Sequence, residues 1–335
     1  RYRRDEDTFD TWFSSGQWPF ATTDYLDGGE LSKFYPLNVM ETGHDILYAW
    51  VAKMIMFGLY RTDQVPFKHV YLNGLVLDEK GLKMSKSKNN VINPQDVMQQ
   101  YGSDALRMSL LAGRSAGIDQ AFSTAKVVTA RNFANKLWNI ARFIEDRVGE
   151  ESVDTNPVAF TDADHWMIRQ LNEASKKVGE LMESYRFAEA YETIYHTVWD
   201  DFADWYVECS KVAQNTTVLT YALETILKFS HPFAPFVTET IWQALGWKDS
   251  LLMTSSWPET QTFDAKAAQR FVELQELTIE ARIVSADIGR GKQTLLYRQD
   301  ELIDANKDLL VHLAKLKAAE QVSEAHGLRL AVAHH

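Results

Sequence analysis

The chain has 335 residues, of which 45% are hydrophobic, and it carries a formal net charge of −11 at pH 7. That length is enough for two or three domains, and the apolar content excludes a disordered chain. The negative charge excludes a protein that coats nucleic acid through general basicity, and the single cysteine, Cys209, excludes a disulfide framework or a cysteine-based zinc site. The sequence contains no apolar run of about 18 residues, so no membrane span is predicted.

The N-terminal segment, residues 7–20, reads DTFDTWFSSGQWPF. Its apolar residues Phe9, Trp12 and Phe13 predict a short buried strand, and the small residues 14–16 predict a turn that allows a ligand to approach the backbone. An ordinary strand and turn is the alternative to a ligand pocket. The chain starts without Met or a signal-peptide pattern, so residue 1 is interpreted as an internal position of a longer protein.

Residues 37–40 predict a short strand, and the apolar run ILYAWVAKMIMFGLY predicts a helix that begins at Ile46 and is buried on nearly all sides. Asp45 precedes this helix, where a carboxylate can cap free N–H groups. Alternatively, Gly43 and Asp45 contact a ligand at the carboxyl end of the strand, where open α/β sheets bind ligands. Trp50 is either a core residue or the wall of a pocket. His44 lacks partners for a metal site.

The apolar run VYLNGLVL at residues 70–77 predicts a buried strand that leads into the loop GLKMSKSKNNVINP at residues 81–94. Lysine side chains on a loop between a strand and a helix suit a polyanionic phosphate chain, because each ammonium group acts as a point charge. Hydroxyls and amides at the start of the following helix add donors for anions. A solvated lysine-rich loop is the alternative. Asn89 is expected to tolerate a left-handed backbone conformation.

Beyond residue 94 the pattern is mainly helical. A helix is predicted over residues 94–111 and a small-residue hinge over residues 113–120. Further helices are predicted from residue 123, over residues 164–185, 188–213, 217–230 and 237–245, with a break at the prolines of HPFAPF. The tail is predicted to contain a helix at residues 271–288, a strand at 294–297, a helix at 302–317 and a strand at 328–333.

Five sequence blocks occur in an order that resembles the class I aminoacyl-tRNA synthetases, and the valyl enzymes in particular. The blocks are DTWFSS at residues 10–15, TGHD at 42–45, KMSKS at 83–87, YGSDALR at 101–107 and RNFANKLWN at 131–139. The resemblance implies an α/β fold followed by an all-α fold. Residues 1–120 would be the second half of a Rossmann-like nucleotide-binding domain, residues 121–262 a helical-bundle anticodon-binding domain, and residues 263–335 a small mixed α/β appendage.

The same resemblance implies roles for individual residues. Lys83 and Lys86 are expected to bind the ATP phosphates and to stabilise pyrophosphate as it leaves. The other expected ATP contacts are Gly43, Asp45, Asn73, Met84, Ser85 and Ser87, where Asn73 replaces the usual His of the family. The expected amino-acid pocket consists of Trp12, Ile46 and Trp50. The expected tRNA contacts are Arg131, Lys136, Arg142, Arg186 and Lys211. No protein-bound metal is expected.

The implied function is part of a valine–tRNA ligase, which activates valine with ATP and Mg²⁺ to valyl-adenylate and transfers it to tRNA(Val). The intact enzyme is expected to be a cytoplasmic monomer. This sequence contains no H-x-G-H motif and no editing domain, so the chain by itself is expected to be inactive. Two alternatives stay open. The first is an isoleucyl homologue, which the DTWFSS block opposes, and the second is a stand-alone tRNA-binding module without chemistry.

Overall fold

The computed structural model describes residues 2–149, 155–289 and 291–323, together with the backbone of a strand at Arg329–Ala331. The chain forms two compact units. The first contains Arg1–Asn93 and Gly113–Thr124, and the second contains Pro94–Ala112 and Ala125–His335. The predicted domain limits at residues 120 and 262 stay predictions. Among the described residues, no helix is both long enough and apolar enough to cross a membrane.

The first unit is a small α/β structure. Its helices and strands are α1 (Trp12–Ser15), α2 (Trp18–Thr22), β1 (Leu37–Gly43), α3 (Ala52–Thr62), β2 (Phe67–Asn73), β3 (Val76–Leu77) and β4 (Gln120–Ala121). Strand β1 pairs in parallel with β2, so that Gly43 lies opposite Asn73 at the carboxyl ends of the two strands. Strand β3 pairs in parallel with β4. Parallel pairing with a helical crossover is the arrangement that nucleotide-binding α/β folds use.

The core of this unit lies between the β1–β2 pair and α3. Met40, Val51, Met54 and Phe67 form it, and each is at most 5% exposed. The helix predicted from Ile46 begins instead with a 3-10 turn and a π-helical turn before α3. The prediction that this helix is buried on nearly all sides is wrong. Only one face packs on the strands, and apolar side chains on the other face, including Tyr48 and Tyr60, are more than 80% exposed.

Two predicted strands differ from the structure. Residues 12–15 form α1 rather than a buried strand, because the Asp10 carboxylate accepts the N–H of Trp12 at 2.8 Å and starts a helical turn. The predicted buried strand at residues 70–77 is divided into β2 and β3, and Val70 is 38% exposed. The division falls at Gly74, where a Cβ atom would lie 1.9 Å from the backbone oxygen of Ile118. Only glycine permits this approach of the two backbone segments.

The second unit is mainly helical. The α-helices that precede its tail, and the long helix that begins the tail, are α4 (Pro94–Tyr101), α5 (Ser103–Leu111), α6 (Thr124–Val148), α7 (Asp162–Glu183), α8 (Phe187–His196), α9 (Val207–Ser210), α10 (Thr216–Ser230), α11 (Pro235–Leu245) and α12 (Ala265–Ile288). A π-helical segment, Thr197–Tyr206, joins α8 to α9. The apolar positions predicted for α6 are buried, namely Phe133, Leu137, Ile140 and Ile144. The proline break before α11 is confirmed.

The YGSDALR and HPFAPFVTE blocks form one joint within this unit. Asp104 on α5 is 7% exposed, and its carboxylate accepts the N–H of Phe236 at 3.3 Å and of Val237 at 2.7 Å at the start of α11. Arg107 on the same helix donates to the carbonyl of Pro232 at 3.1 Å. A carboxylate at a helix N-terminus satisfies free N–H groups and complements the helix dipole. These two blocks therefore fix α5 against α11.

The tail contains a small sheet flanked by short helices. The predicted strand at residues 294–297 is confirmed as β5 (Thr294–Tyr297). The single helix predicted at residues 302–317 is divided into α13 (Glu301–Ala305) and α14 (Lys307–Leu313), and β6 (Ala318–Gln321) follows them. Strand β5 pairs in parallel with β6 and antiparallel with β7 (Arg329–Ala331). Strand β7 covers the middle of the strand predicted at residues 328–333, and residues 328, 332 and 333 lie outside the described part of the chain.

Candidate functional site

The carboxyl ends of β1 and β2 form a small polar recess. A Cβ atom at Gly43 would lie 2.9 Å from Asp45 Oδ1 and 3.7 Å from Asn73 Oδ1, so the glycine keeps the space between these oxygens open. Asn73 Oδ1 is buried and has no hydrogen-bond partner among the described residues. Buried acceptors in native proteins are normally satisfied, and an orphaned one in a recess is a position where a ligand can donate.

The KMSKS and TGHD blocks meet at this recess. Lys83 Nζ lies 3.3 Å from Asp45 Oδ2, although the two residues are separated by 38 positions. The alternative that Asp45 caps the following helix is wrong, because neither helical turn there has a side-chain cap. The Lys83 and Asp45 side chains are 66% and 37% exposed. An exposed ion pair of this kind contributes little to stability, so a polyanion can displace the carboxylate from the lysine.

The rest of the loop at residues 81–94, called the lysine loop below, presents cations to solvent. Lys86 and Lys88 lie in a 3-10 turn, Lys86–Lys88, and both side chains are exposed. Neither forms an ion pair with a described carboxylate. Asn89 ends the turn at φ 48°, which confirms the expected left-handed backbone. Met84 Sδ accepts the N–H of Ile92 at 3.4 Å, which fixes one side of the loop.

The hydroxyls of the loop contact each other. Ser85 Oγ lies 3.2 Å from Ser87 Oγ, so the two side chains point to the same side of the turn. The backbone of Ser85 is held by the side chain of Asn90 at 2.9 Å, and Asn90 in turn contacts Asp78. Neither Asp78 nor Asn90 is among the site residues predicted from the sequence. The sequence feature that could have indicated them is a short polar side chain on each side of the lysines, which can form hydrogen bonds to the loop backbone.

The segment after α5 also reaches the recess. Asp119 Oδ1 accepts the N–H of Leu75 at 2.7 Å and lies 2.9 Å from His44 Nε2, and these contacts lower the pKa of the Asp119 carboxyl below its ordinary value. Arg114 donates to the carbonyl of Gly74. The sequence predicted only a hinge for this segment. In the structure, residues of this segment contact the backbone at Gly74 and Leu75, between β2 and β3. Strand β3 then leads into the lysine loop.

Two tryptophans of the predicted amino-acid pocket are neighbours. The rings of Trp12 and Trp50 have centroids 6.4 Å apart at an interplanar angle of 34°. Trp50 Nε1 donates to the carbonyl of Ser15 at 2.9 Å, which fixes the indole against α1. Trp50 also packs on the core of the unit, so it is both a core residue and a candidate wall. Ile46, the third predicted pocket residue, is half-buried and precedes Trp50 by four positions.

The five predicted tRNA contacts have different environments. Three of them bind carboxylates: Lys136 lies 3.3 Å from Asp204, Arg186 donates to Glu189 at 2.6 Å, and Lys211 lies 2.5 Å from Glu208. The other two, Arg131 and Arg142, are exposed, and the Arg131 guanidinium lies 5.9 Å from the ring centroid of Tyr101.

Of these five residues, only Lys136 lines the large cleft of the helical unit. The cleft has a volume of about 1160 Å³ and lies beside α12 and α14. Its lining is of mixed charge, with the basic residues Arg282, Lys292, His312 and Lys315 and the carboxylates of Asp204, Glu208 and Asp308. Lys136 Nζ lies 4.8 Å from the ring centroid of Trp199, which stacks on Tyr195 at 5.7 Å and 9°. Stacked aromatic rings beside cations are features that single-stranded nucleic acids bind.

In the described part of the chain, no group of three or more His, Cys, Asp or Glu side chains is arranged to hold a metal ion. The candidate site consists of ammonium groups, an orphaned amide oxygen and paired indoles. Ammonium groups suit a phosphorylated ligand, and paired indoles suit a small apolar side chain.

Comparison with known proteins identifies the families that the two parts of the chain resemble. Residues 1–123 match the family described as tRNA synthetases class I (I, L, M and V), and residues 164–312 match the anticodon-binding domain of tRNA ligase. Among solved structures, the chain is similar to LeuRS of Agrobacterium radiobacter K84 in a ternary complex with tRNA and LeuAMS. The TM-score is 0.67 and the identity 23%, over 88% of this chain and 35% of that one.

A methionyl-tRNA synthetase of Mycobacterium tuberculosis, solved in complex with methionyl-adenylate, has a TM-score of 0.56 at 22% identity, over 66% of this chain and 47% of that one. The chain belongs to the class I aminoacyl-tRNA synthetases. Within that class, it is 39% identical to the valine–tRNA ligases of Staphylococcus aureus strains JH9 and Newman, over 92% of this chain. It spans 38% of the length of those relatives. The predicted family and fold class are confirmed.

Proposed function

We propose that this chain is the part of a valine–tRNA ligase that supplies the lysine loop, one side of the nucleotide and amino-acid sites, and the anticodon-binding domain. The observation that carries the proposal is the contact of Lys83 Nζ with Asp45 Oδ2 at 3.3 Å. It joins the lysine loop to the carboxyl end of a parallel strand pair, where α/β folds bind nucleotides. The valine–tRNA ligase relatives, 39% identical over 92% of the chain, support the choice of amino acid.

In the proposed first step, the carboxylate of valine attacks the α-phosphorus of ATP. The bond from this phosphorus to the oxygen bridging to the β-phosphate breaks, and pyrophosphate leaves. Negative charge accumulates on the leaving group, so Lys83 and Lys86 stabilise the transition state by placing ammonium groups beside the β- and γ-phosphates. Lys83 exchanges its contact with Asp45 for the phosphates, and Asp45 then accepts a hydrogen bond from the ribose.

The nucleotide is held by groups that the structure leaves available. Gly43 lets the ribose approach the strand end, and the orphaned Asn73 Oδ1 accepts a hydrogen bond from the nucleotide. Met84, Ser85 and Ser87 complete the loop side of the site. Mg²⁺ would enter with ATP and would offset part of the phosphate charge. In the second step, a ribose hydroxyl at the tRNA 3′ end attacks the carbonyl carbon of valyl-adenylate, and AMP leaves.

The test of this function is ATP–pyrophosphate exchange by the protein that carries this chain together with the remaining synthetase sequence. We expect exchange with valine at a higher kcat/KM than with isoleucine, leucine or methionine. Preference for isoleucine would support the isoleucyl alternative. Absence of exchange with every amino acid, together with retained tRNA binding, would support a stand-alone tRNA-binding module. The predictions of a monomer and of a cytoplasmic location stay proposals.

We expect Trp50→Ala to weaken amino-acid selection, because the indole that faces Trp12 at 6.4 Å limits the space for a branched side chain. The ratio of kcat/KM for valine to that for isoleucine should fall by about tenfold, as expected when one apolar wall is shortened. Exchange kinetics with both amino acids measure this ratio. Trp18→Ala is the control, since Trp18 is exposed. An unchanged ratio in Trp50→Ala would leave Trp50 as a core residue only.

For tRNA, we propose that the cleft beside α12 and the stacked Tyr195–Trp199 pair contact unpaired bases of tRNA(Val), and that Arg131, Lys136, Arg142, Arg186 and Lys211 contact its backbone. Binding to a panel of tRNA transcripts at fixed salt tests this, because salt sets the electrostatic part of the affinity. A preference for tRNA(Val) that is lost when its anticodon is changed would support base reading. Equal binding to all transcripts would limit the helical unit to backbone contacts.

A further inference from the structure

The lysine loop is closed at its base by two side chains, Asp78 and Asn90. Asp78 Oδ1 accepts the N–H of Lys80 at 2.9 Å and of Leu82 at 2.8 Å, on the side where the chain enters the loop. Its other oxygen, Oδ2, accepts Asn90 Nδ2 at 2.8 Å, on the side where the chain leaves the loop. The Asp78 residue is 8% exposed. One carboxylate therefore joins both ends of the loop.

Asn90 continues the connection to the lysines. Its Oδ1 accepts the N–H of Ser85 at 2.9 Å, and its Nδ2 lies 3.4 Å from the carbonyl oxygen of Lys83. The orientation of this amide is fixed by its neighbours. A flipped amide would place its oxygen against the Asp78 carboxylate and its NH₂ against the N–H of Ser85. The N–H of Leu82 and the Asn90 amide lower the pKa of Asp78, which keeps the carboxylate ionised as an acceptor.

We propose that Asp78 and Asn90 are positioning residues for adenylate formation, and that they hold the backbone on which Lys83 and Lys86 reach the phosphates. This inference rests on the proposed function. Neither side chain needs to touch ATP. An error of about 1 Å in the position of a catalytic group can lower a rate by about 10²-fold. A loop with exposed lysines therefore needs a fixed base, and the Asp78–Asn90 hydrogen bond supplies one.

Exchanging the two residues provides a sharp test. Asp78→Asn places an NH₂ group against the NH₂ of Asn90, and Asn90→Asp places two carboxylates against each other. In the double variant the donor and the acceptor change sides. The residue at 78 still accepts the N–H groups of Lys80 and Leu82 and now donates to the residue at 90, which still accepts the N–H of Ser85. The long contact of Asn90 Nδ2 with the Lys83 carbonyl, at 3.4 Å, is lost.

We expect each single variant to lower kcat/KM for ATP in pyrophosphate exchange by about 10- to 100-fold, with KM for valine unchanged. The double variant should recover to within about threefold of the wild type, because the residues are coupled. Glu79→Gln and Asn89→Asp are matched controls, since they make the same chemical changes at exposed neighbouring positions. Both should retain wild-type exchange.

Limited trypsin digestion gives a second readout that does not depend on activity. The loop contains cleavable bonds after Lys83, Lys86 and Lys88, and mass spectrometry should show faster cleavage there in each single variant and wild-type cleavage in the double variant. Wild-type exchange and cleavage in both single variants would overturn the inference. A folded double variant that is no better than the single variants would also overturn it. If a single variant fails to fold, an active double variant supports the inference. Absence of valine exchange in the wild type would count against the proposed function alone.

Discussion

Lys86→Ala is expected to lower the rate of valine-dependent pyrophosphate exchange by about 10²- to 10³-fold, the cost of removing one group that stabilises charge in a transition state. Lys86 lies in an exposed 3-10 turn and forms no ion pair with a described carboxylate, so its removal should leave the fold intact. Its charge is therefore available for the leaving pyrophosphate. Exchange kinetics at saturating valine, together with a melting curve, measure the effect.

The chain offers a matched control for this variant. Lys88 lies two positions later in the same 3-10 turn and is also exposed, so Lys88→Ala removes an equal charge from the same loop. We expect Lys88→Ala to keep exchange within about threefold of the wild type, because diffuse surface charge is screened by salt. Binding of tRNA should be unchanged in both variants. Equal losses in both would mean that the loop acts only through its net charge, which would contradict the role assigned to Lys86.

The parts of the site that could be predicted from sequence are those with a local cause. Asn89 adopts the left-handed conformation expected of it, because a short amide side chain tolerates positive φ in any context. The buried face of α6 follows from the spacing of its apolar residues. The helix break at Pro235 follows from the geometry of proline itself.

The parts that could not be predicted depend on long-range contacts. Asp119 reaches back 44 positions to the N–H of Leu75, and no local pattern specifies that pairing. The burial of residues 70–77 was overestimated, because an apolar run does not reveal how many strands flank it, and β2 pairs only with β1 in the described part of the chain. One wrong prediction had a local cause: the Asp10 carboxylate accepts the N–H of Trp12 two positions later, where the apolar residues had predicted a strand.

A buried carboxylate in the helical unit, Asp164, holds several helix ends together. Asp164 is 1% exposed and accepts four hydrogen bonds. Its donors are Tyr206 Oη at 2.6 Å, Asn215 Nδ2 at 2.9 Å, and the N–H groups of Phe160 at 2.9 Å and Thr161 at 3.0 Å. Thr161 and Asp164 form the capping box that starts α7. One side chain therefore connects α7 to the π-helical segment and to the start of α10.

Asp164→Ala should lower the free energy of unfolding of the helical unit by about 3–5 kcal/mol, because the buried Tyr206 and Asn215 side chains and two backbone N–H groups lose their shared acceptor. Tyr206→Phe removes a single donor and should cost only about 1–2 kcal/mol. Burial and the nearby Asp164 carboxylate raise the pKa of Tyr206 well above its ordinary value, so the hydroxyl is protonated and donates at neutral pH.

Urea unfolding followed by circular dichroism measures both variants, and Glu173→Ala provides the control. Glu173 lies on the same helix, α7, and its side chain is 68% exposed, so its removal should change the free energy of unfolding by less than about 0.5 kcal/mol. If Asp164→Ala lowered the free energy of unfolding no more than the control, water would be replacing the carboxylate, and the helix ends would not depend on Asp164. A loss several times that of Tyr206→Phe would instead show that the helix ends depend on Asp164 as one shared acceptor.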